Sequence, residues 1–186
     1  PRLNTAGPTL IVLAEHKEPV YDKTGLSLIT SSVRRPSPDV LDPKIHHCNL
    51  IQSILAKIEA THAGADDALM LDQRGFVAET NATHLFIFEG DTVVTSRLVA
   101  CPEGITRDVV LNLCRQNDIA HEIRDYSLTE VYRADEMFCT GTMGELAPVT
   151  QVDGRTIGSG EIGSMTQRLA GLFDQCVAAE AEPVLD

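Results

Sequence analysis

The stretch that decides the fold is residues 68–95, ALMLDQRGFVAETNATHLFIFEGDTVVT. It alternates short apolar segments with turn signals. Residues 68–71 (ALML) read as a buried strand, and Asp72-Gln73-Arg74-Gly75 as a turn. Residues 76–79 return, residues 80–83 (TNAT) turn again, and residues 84–88 (HLFIF) form another strand. Gly90-Asp91 then reverses the chain into residues 92–95 (TVVT), rich in β-branched side chains. Connections this short join spatial neighbours, so the pattern predicts a meandering sheet.

Upstream, residues 9–14 (TLIVLA) predict a strand and residues 15–24, with Pro19 and Lys23, a hairpin-like connection. Residues 26–33 (LSLITSSV) alternate apolar and polar, which predicts a strand with one buried face. Residues 34–38, with Pro36 and Pro38, cannot continue a sheet interior or a helix, because each proline removes a donor and fixes φ. This loop delivers the chain to Leu41-Asp42-Pro43-Lys44-Ile45-His46-His47-Cys48-Asn49. Residues 47–63 then show helical periodicity. Leu50, Ile51, Ile54, Leu55 and Ile58 form one broad apolar stripe, expected to be buried, and Gly64 is a stop signal.

Downstream, helices are predicted over residues 106–116, 126–132 (capped by Ser127) and 166–179, with strands at 119–123, 136–139, 146–152 and 155–157. Asp153-Gly154 makes the tight turn between the last two strands. Helices and strands intermix without a repeat, which is an α+β pattern.

The composition narrows the function classes. A net charge of −12 argues against nucleic acid as a partner, since that needs a basic surface. It leaves room for a small anionic ligand held locally. No apolar run reaches the ~18 residues of a membrane span, and no secretory leader pattern is present. Five cysteines without a CxxC pair point to a reducing, cytoplasmic setting.

Three places can carry chemistry. Gly104-Ile105-Thr106 opens a helix, whose free N–H groups and positive dipole end suit an anion. Thr140-Gly141-Thr142 follows a strand and presents hydroxyls and backbone N–H groups. Glu79 ends a strand in a small, polar run and can hold a protonated ring nitrogen. Each, taken alone, also reads as an ordinary cap, turn or solvated side chain. His46, His47 and Cys48 do not make a metal site, because adjacent side chains diverge and no second cluster has ligand spacing. No nucleophile elbow, dinucleotide fingerprint or phosphate loop occurs.

The ordered set of Lys44, Glu79, Glu103-Gly104-Ile105-Thr106-Arg107, residues 134–142 (ADEMFCTGT) and Ala147-Pro148-Val149, followed by Asp153-Gly154-Arg155, resembles the class IV (fold-type IV) pyridoxal-phosphate aminotransferases. Branched-chain and D-amino-acid aminotransferases and aminodeoxychorismate lyase belong there. The resemblance implies pyridoxal 5'-phosphate as cofactor, an amino acid and a 2-oxo acid as substrates, a homodimer, and no metal. It implies the large cofactor domain of that fold, a mixed sheet curled into a pseudo-barrel with packed helices. Residues 1–186 are then one domain: 1–43 as entry strands and loop, 44–180 as cofactor-binding core, and the small N-terminal domain of the family absent.

Carried over by position, Lys44 matches the lysine that bears the cofactor, and Glu79 the carboxylate on the pyridine nitrogen. Ile105 and Thr106 match the phosphate-cradling helix start, and Thr142 the second phosphate contact. Gly141, Thr142 and Met143 fall where substrate is bound through backbone groups. Asn49 stands where branched-chain members carry a tyrosine near the cofactor. In this reading a poorly solvated Lys44 moves the proton and Glu79 keeps the ring an electron sink. The implied function is branched-chain-like amino transfer. The alternatives are a lyase-type elimination on the same cofactor and a truncated, catalytically impaired fragment.

Overall fold

The computed structural model describes residues 7–15, 20–21, 23–45 and 47–181. Strand β1 (Leu26–Thr30) leads through the short helix α1 (Pro38–Leu41) to helix α2 (Ile51–Ala63). Strands β2 (Asp67–Leu71), β3 (Val77–Thr80), β4 (His84–Glu89) and β5 (Thr92–Thr95) follow. Helix α3 (Ile105–Gln116), strand β6 (His121–Ile123) and helix α4 (Leu128–Arg133) come next. Strands β7 (Glu136–Gly141), β8 (Glu145–Val152) and β9 (Arg155–Thr156) precede the last helix, α5 (Ser164–Glu180).

The strands form one mixed sheet in the order β3-β2-β1-β8-β7-β4-β5-β6, with β9 on β8. The expected hairpins β2–β3 and β4–β5 exist, with turns where the sequence places them. They are separated by β1, β8 and β7, however. β1 lies parallel to both β2 and β8, and parallel neighbours must come from distant segments because no tight turn can join them.

The sheet curls until β3 approaches β4 and β5. Ser96 Oγ donates to the Ala78 carbonyl at 2.6 Å, and the Val77 N–H to the Tyr126 carbonyl at 2.9 Å. Val77 of β3 and Val94 of β5, near opposite ends of the strand order, share one apolar cluster with Leu28, Leu69, Leu85 and Tyr126. The chain thus forms the mixed α+β, barrel-like fold expected. The other face of β4 and β7 packs Phe86, Phe88 and Phe138 against α3 and α5. The Ser127–Glu130 capping box starts α4 as read from the sequence. No helix among the described residues is long and apolar enough to cross a membrane.

Three expectations fail. The proline-bounded loop before Lys44 carries the short helix α1, because a proline fits the first turn of a helix, where no N–H is needed. Residues 8–15 form no strand among the described residues, and Leu10, Ile11, Val12 and Leu13 are exposed. An apolar run becomes a strand only where an edge receives it, and none does here. Of the expected connection, residues 16–19 and 22 lie outside the described residues.

Helix α2 starts at Ile51 rather than residue 47, and it packs with the opposite face from the one expected. Ala56 and Ala60 are buried against Ala68 and Met70 of β2, while Leu50, Ile51, Ile54, Leu55 and Ile58 are about half exposed. Small side chains let the helix backbone approach the strand closely. The broad stripe, on the other side of the helix, then faces outward. Gly64 ends α2 in the left-handed conformation at φ 73°, as a C-terminal glycine should.

Candidate functional site

The site begins with strand alternation. Along β4, Leu85 and Ile87 point into one core, so His84, Phe86 and Phe88 point to the α3 side. On β7, Phe138 and Thr140 share that side. The cross-strand pairs are Phe86 with Phe138 and His84 with Thr140. An aromatic ladder therefore ends in a polar pair, and above that pair sits the start of α3.

Gly104 caps α3 at φ 71°, a conformation that favours glycine. A side chain there would also meet the His84 ring, with an added Cβ 2.5 Å from Cε1. The first intrahelical bond runs from the Asp108 N–H to the Gly104 carbonyl at 3.1 Å, which leaves the N–H groups of Ile105, Thr106 and Arg107 available. Lys44, Ala82, His84, Thr106, Thr140 and Thr142 line the cavity in front of them. Thr140 is 1 % exposed, and its Oγ1 has no hydrogen-bond partner. A buried hydroxyl is usually paired, and Arg107 Nε, Tyr126 OH and Thr166 Oγ1 are unpaired too; Thr140 differs in lying on the wall of this cavity, beside the free N–H groups of α3.

A second hollow adjoins the first and shares Ala82 and Pro102 as walls. Glu79 lines it, buried and ion-paired with Arg35. The Arg35 guanidinium also donates to Ser53 Oγ at 2.9 Å and to the Ala100 carbonyl at 3.2 Å. Burial lowers the pKa of Arg35, yet a guanidinium stays charged. Arg35 takes only Oε1 of Glu79, and Oε2 accepts no hydrogen bond from the described residues. Glu79 is thus held in place with one oxygen still available.

Of the residues named from sequence, the fold brings Thr106, Thr142 and Lys44 to the first cavity and Glu79 and Asn49 to the second. Gly141 lines the first cavity, and Met143 is exposed beside it in the loop. The Ile105 side chain is exposed, and what this residue can offer a ligand is its backbone N–H.

Lys44 is not poorly solvated as expected. Its side chain is 39 % exposed, with Nζ 3.5 Å from Asp42. Of its immediate neighbours only Pro43 is buried, so the segment is pinned at one residue while the lysine reaches solvent. His46 lies outside the described residues. Two residues that line these cavities were not singled out by the sequence, His84 and Arg35. Alternation in HLFIF could have placed His84 on the Phe86–Phe88 face. Arg35, in a proline-bounded loop, carried no local signal.

His84 Nε2 lies 2.8 Å from the Pro102 carbonyl, and a carbonyl only accepts, so Nε2 bears the proton. Burial pushes the His84 pKa down to about 4, and the charges of Arg107 and Arg35 add to this against the raising effect of the Pro102 contact. The folded value lies below the ordinary one. Stability is therefore complete above about pH 6.5 and falls as the pH drops toward 4, because only the unfolded chain takes up the proton. Between about pH 6.5 and about pH 5 the wild type should lose about 1.5 kcal/mol more than His84→Gln. Urea unfolding of both proteins at the two pH values checks this. Equal losses would remove His84 as the cause.

A profile of the family described as amino-transferase class IV matches residues 2–152. The branched-chain-amino-acid aminotransferase-like protein 2 of Arabidopsis thaliana is 49 % identical over 185 residues, which are 99 % of this chain and 33 % of that protein. A putative branched-chain-amino-acid aminotransferase of Methanocaldococcus jannaschii is 38 % identical over 167 residues, 89 % of this chain and 58 % of that one. The crystal structure of the branched-chain amino acid aminotransferase of Thermobaculum terrenum in its PLP form superposes with a TM-score of 0.82 at 32 % identity, over 87 % of this chain and 54 % of the other. The chain thus spans between a third and rather more than half of the proteins it matches.

Proposed function

Because the chain belongs to the class IV aminotransferase family, we propose that it is the cofactor-binding part of an enzyme that moves an amino group between a branched-chain-type amino acid and a 2-oxo acid. In this reading residues 44–180 are the cofactor core and residues 1–43 its entry segment.

The observation that carries the reading is the unpartnered, buried Thr140 Oγ1 in the cavity at the α3 N-terminus. A phosphate fits there: it takes the Ile105 and Thr106 N–H groups, a hydroxyl and a helix dipole, without needing a net-positive protein. Thr142 supplies a second hydroxyl. Glu79, with Oε2 open, suits a protonated ring nitrogen, and Asn49 lines the same hollow. A relative was solved in its PLP form, which agrees with pyridoxal 5'-phosphate as the group held.

That cofactor supplies an electron sink beside the amino-bearing carbon. The work left to the chain is positional. Glu79 keeps a ring proton in place, and Arg35 holds the Glu79 carboxylate in orientation. Lys44 offers the amine that anchors the cofactor and carries a proton. Gly141, Thr142 and Met143 present backbone groups to a substrate carboxylate. Neither the lyase nor the impaired-fragment alternative has an observation of its own in the site.

A homodimer fits the exposed stripe from Leu50 to Ile58, since half-exposed aliphatic side chains in a row favour association. Five free cysteines fit a reducing, cytoplasmic setting.

The test is chemical. Borohydride reduction of the protein with pyridoxal 5'-phosphate should fix the label on Lys44, and Lys44→Ala should lose both the label and the visible absorption band. A label on another residue, or an unchanged band, would sink the Lys44 assignment. A wild type that binds no pyridoxal phosphate would sink the reading as a whole.

A further inference from the structure

His84 has no assigned role, yet it occupies the floor of the anion cavity. It pairs across the sheet with Thr140, whose hydroxyl lacks a partner. Its Nε2–H holds the Pro102 carbonyl at 2.8 Å. Its ring lies under Gly104, close enough that no side chain fits between them. The segment it touches at both ends, Pro102-Glu103-Gly104, belongs to neither strand nor helix and runs directly into α3. A segment with no ladder of its own takes its position from side chains that bind its carbonyls. Here Arg35 holds Ala100, and His84 holds Pro102.

We propose that His84 is a positioning residue of the anion cradle, fixing Pro102 and Gly104 so that the Ile105 and Thr106 N–H groups are already aimed at a phosphate group. Pre-aimed donors avoid the ordering cost a loose loop end would carry on binding. The effect should fall on the phosphate of a ligand and spare its ring. This inference rests on the cofactor reading for the ligand's identity. The cradle itself is testable without it.

The experiment compares wild type, His84→Leu and His84→Gln, with folding checked by circular dichroism. Dissociation constants are measured for pyridoxal 5'-phosphate and for pyridoxal, which lacks the phosphate. Inorganic phosphate is followed separately by its thermal protection of the protein. Leucine fills the space without a donor, and glutamine restores an N–H of similar reach. His84→Leu should bind pyridoxal phosphate about tenfold more weakly, the worth of one good hydrogen bond, while pyridoxal affinity stays within about twofold. His84→Gln should recover most of the loss. Phosphate protection should follow the same order.

Equal weakening of pyridoxal and its phosphate in His84→Leu, or no weakening of either, overturns the role. A wild type that is protected by phosphate in a His84-dependent way but binds no pyridoxal phosphate overturns the cofactor reading and leaves the cradle standing. A wild type that binds neither overturns both.

Discussion

Glu79→Ala is expected to destabilise the chain by roughly 3–5 kcal/mol even without ligand. The reason is the ion left behind. Arg35 and Glu79 side chains are only 13 % and 5 % exposed, so the pair is shielded from water. Taking away the carboxylate leaves a buried guanidinium with two neutral partners, Ser53 and the Ala100 carbonyl, and no counter-charge.

The prediction has internal controls. Glu79→Gln keeps a hydrogen-bond acceptor and should cost less. Arg35→Met combined with Glu79→Ala removes the stranded charge and should recover part of the loss, giving a coupling of more than about 1 kcal/mol in a double-mutant cycle. Urea midpoints at constant slope measure it. Strictly additive single and double losses would show that the pair is not coupled. Under the proposed cofactor reading, Glu79→Gln, although folded, should still hold pyridoxal phosphate but change its visible absorption band, because a neutral amide does not keep a ring nitrogen protonated.

Phe138→Ala should cost about 4 kcal/mol and should damage the site through the core beneath it. Phe138 is fully buried on β7. Its ring stacks on Phe86 with centroids 4.9 Å apart and planes within 1°, and lies 5.9 Å from Phe88 at a tilt of 42°. Val110, Leu111 and Cys114 of α3 and Leu169 and Phe173 of α5 close over these rings. Truncation removes the buried area, leaves a cavity and breaks two aromatic contacts, which together reach the range seen for buried aromatic deletions. Set against a typical total of about 5–15 kcal/mol, that is a large fraction. Phe138→Leu, closer in volume, should lose about half as much or less. A loss below about 1 kcal/mol for the alanine variant would mean that the α3–α5 core closes up readily. Phosphate protection should weaken in Phe138→Ala, because Thr140 and the start of α3 rest on the same ladder.

Local pattern made much of this molecule legible. Turns such as Gly90-Asp91 and Asp153-Gly154 lie where small and polar residues allow the chain to reverse. The Ser127 cap and the Gly64 stop follow from hydrogen-bond and φ preferences that need no tertiary context. Glu79, Thr106 and Thr142 drew notice only as members of a spaced set, and the fold puts each on a cavity wall. None is distinctive singly.

Other features depended on what each segment met in space. Residues 9–14 have every local mark of a strand and form none, because pairing belongs to two segments. The aliphatic stripe of α2 marks an amphipathic helix, but the parallel pairing of β1 with β2 and the small surface of Ala68 select the Ala56–Ala60 face for close contact. The stripe is left for another surface. Arg35 reaches Glu79 across 44 positions of sequence only because β2 and β3 bring the loop alongside.

By itself the sequence determined most of the elements from residue 26 onward and their turns, since those depend on neighbours along the chain. Only the tertiary structure decided that a histidine and a threonine end the aromatic ladder beneath a glycine-capped helix, and that Lys44 stands exposed at the edge of that cavity. Cross-strand register and helix docking are set by the packing of distant residues, so no local pattern can encode them alone.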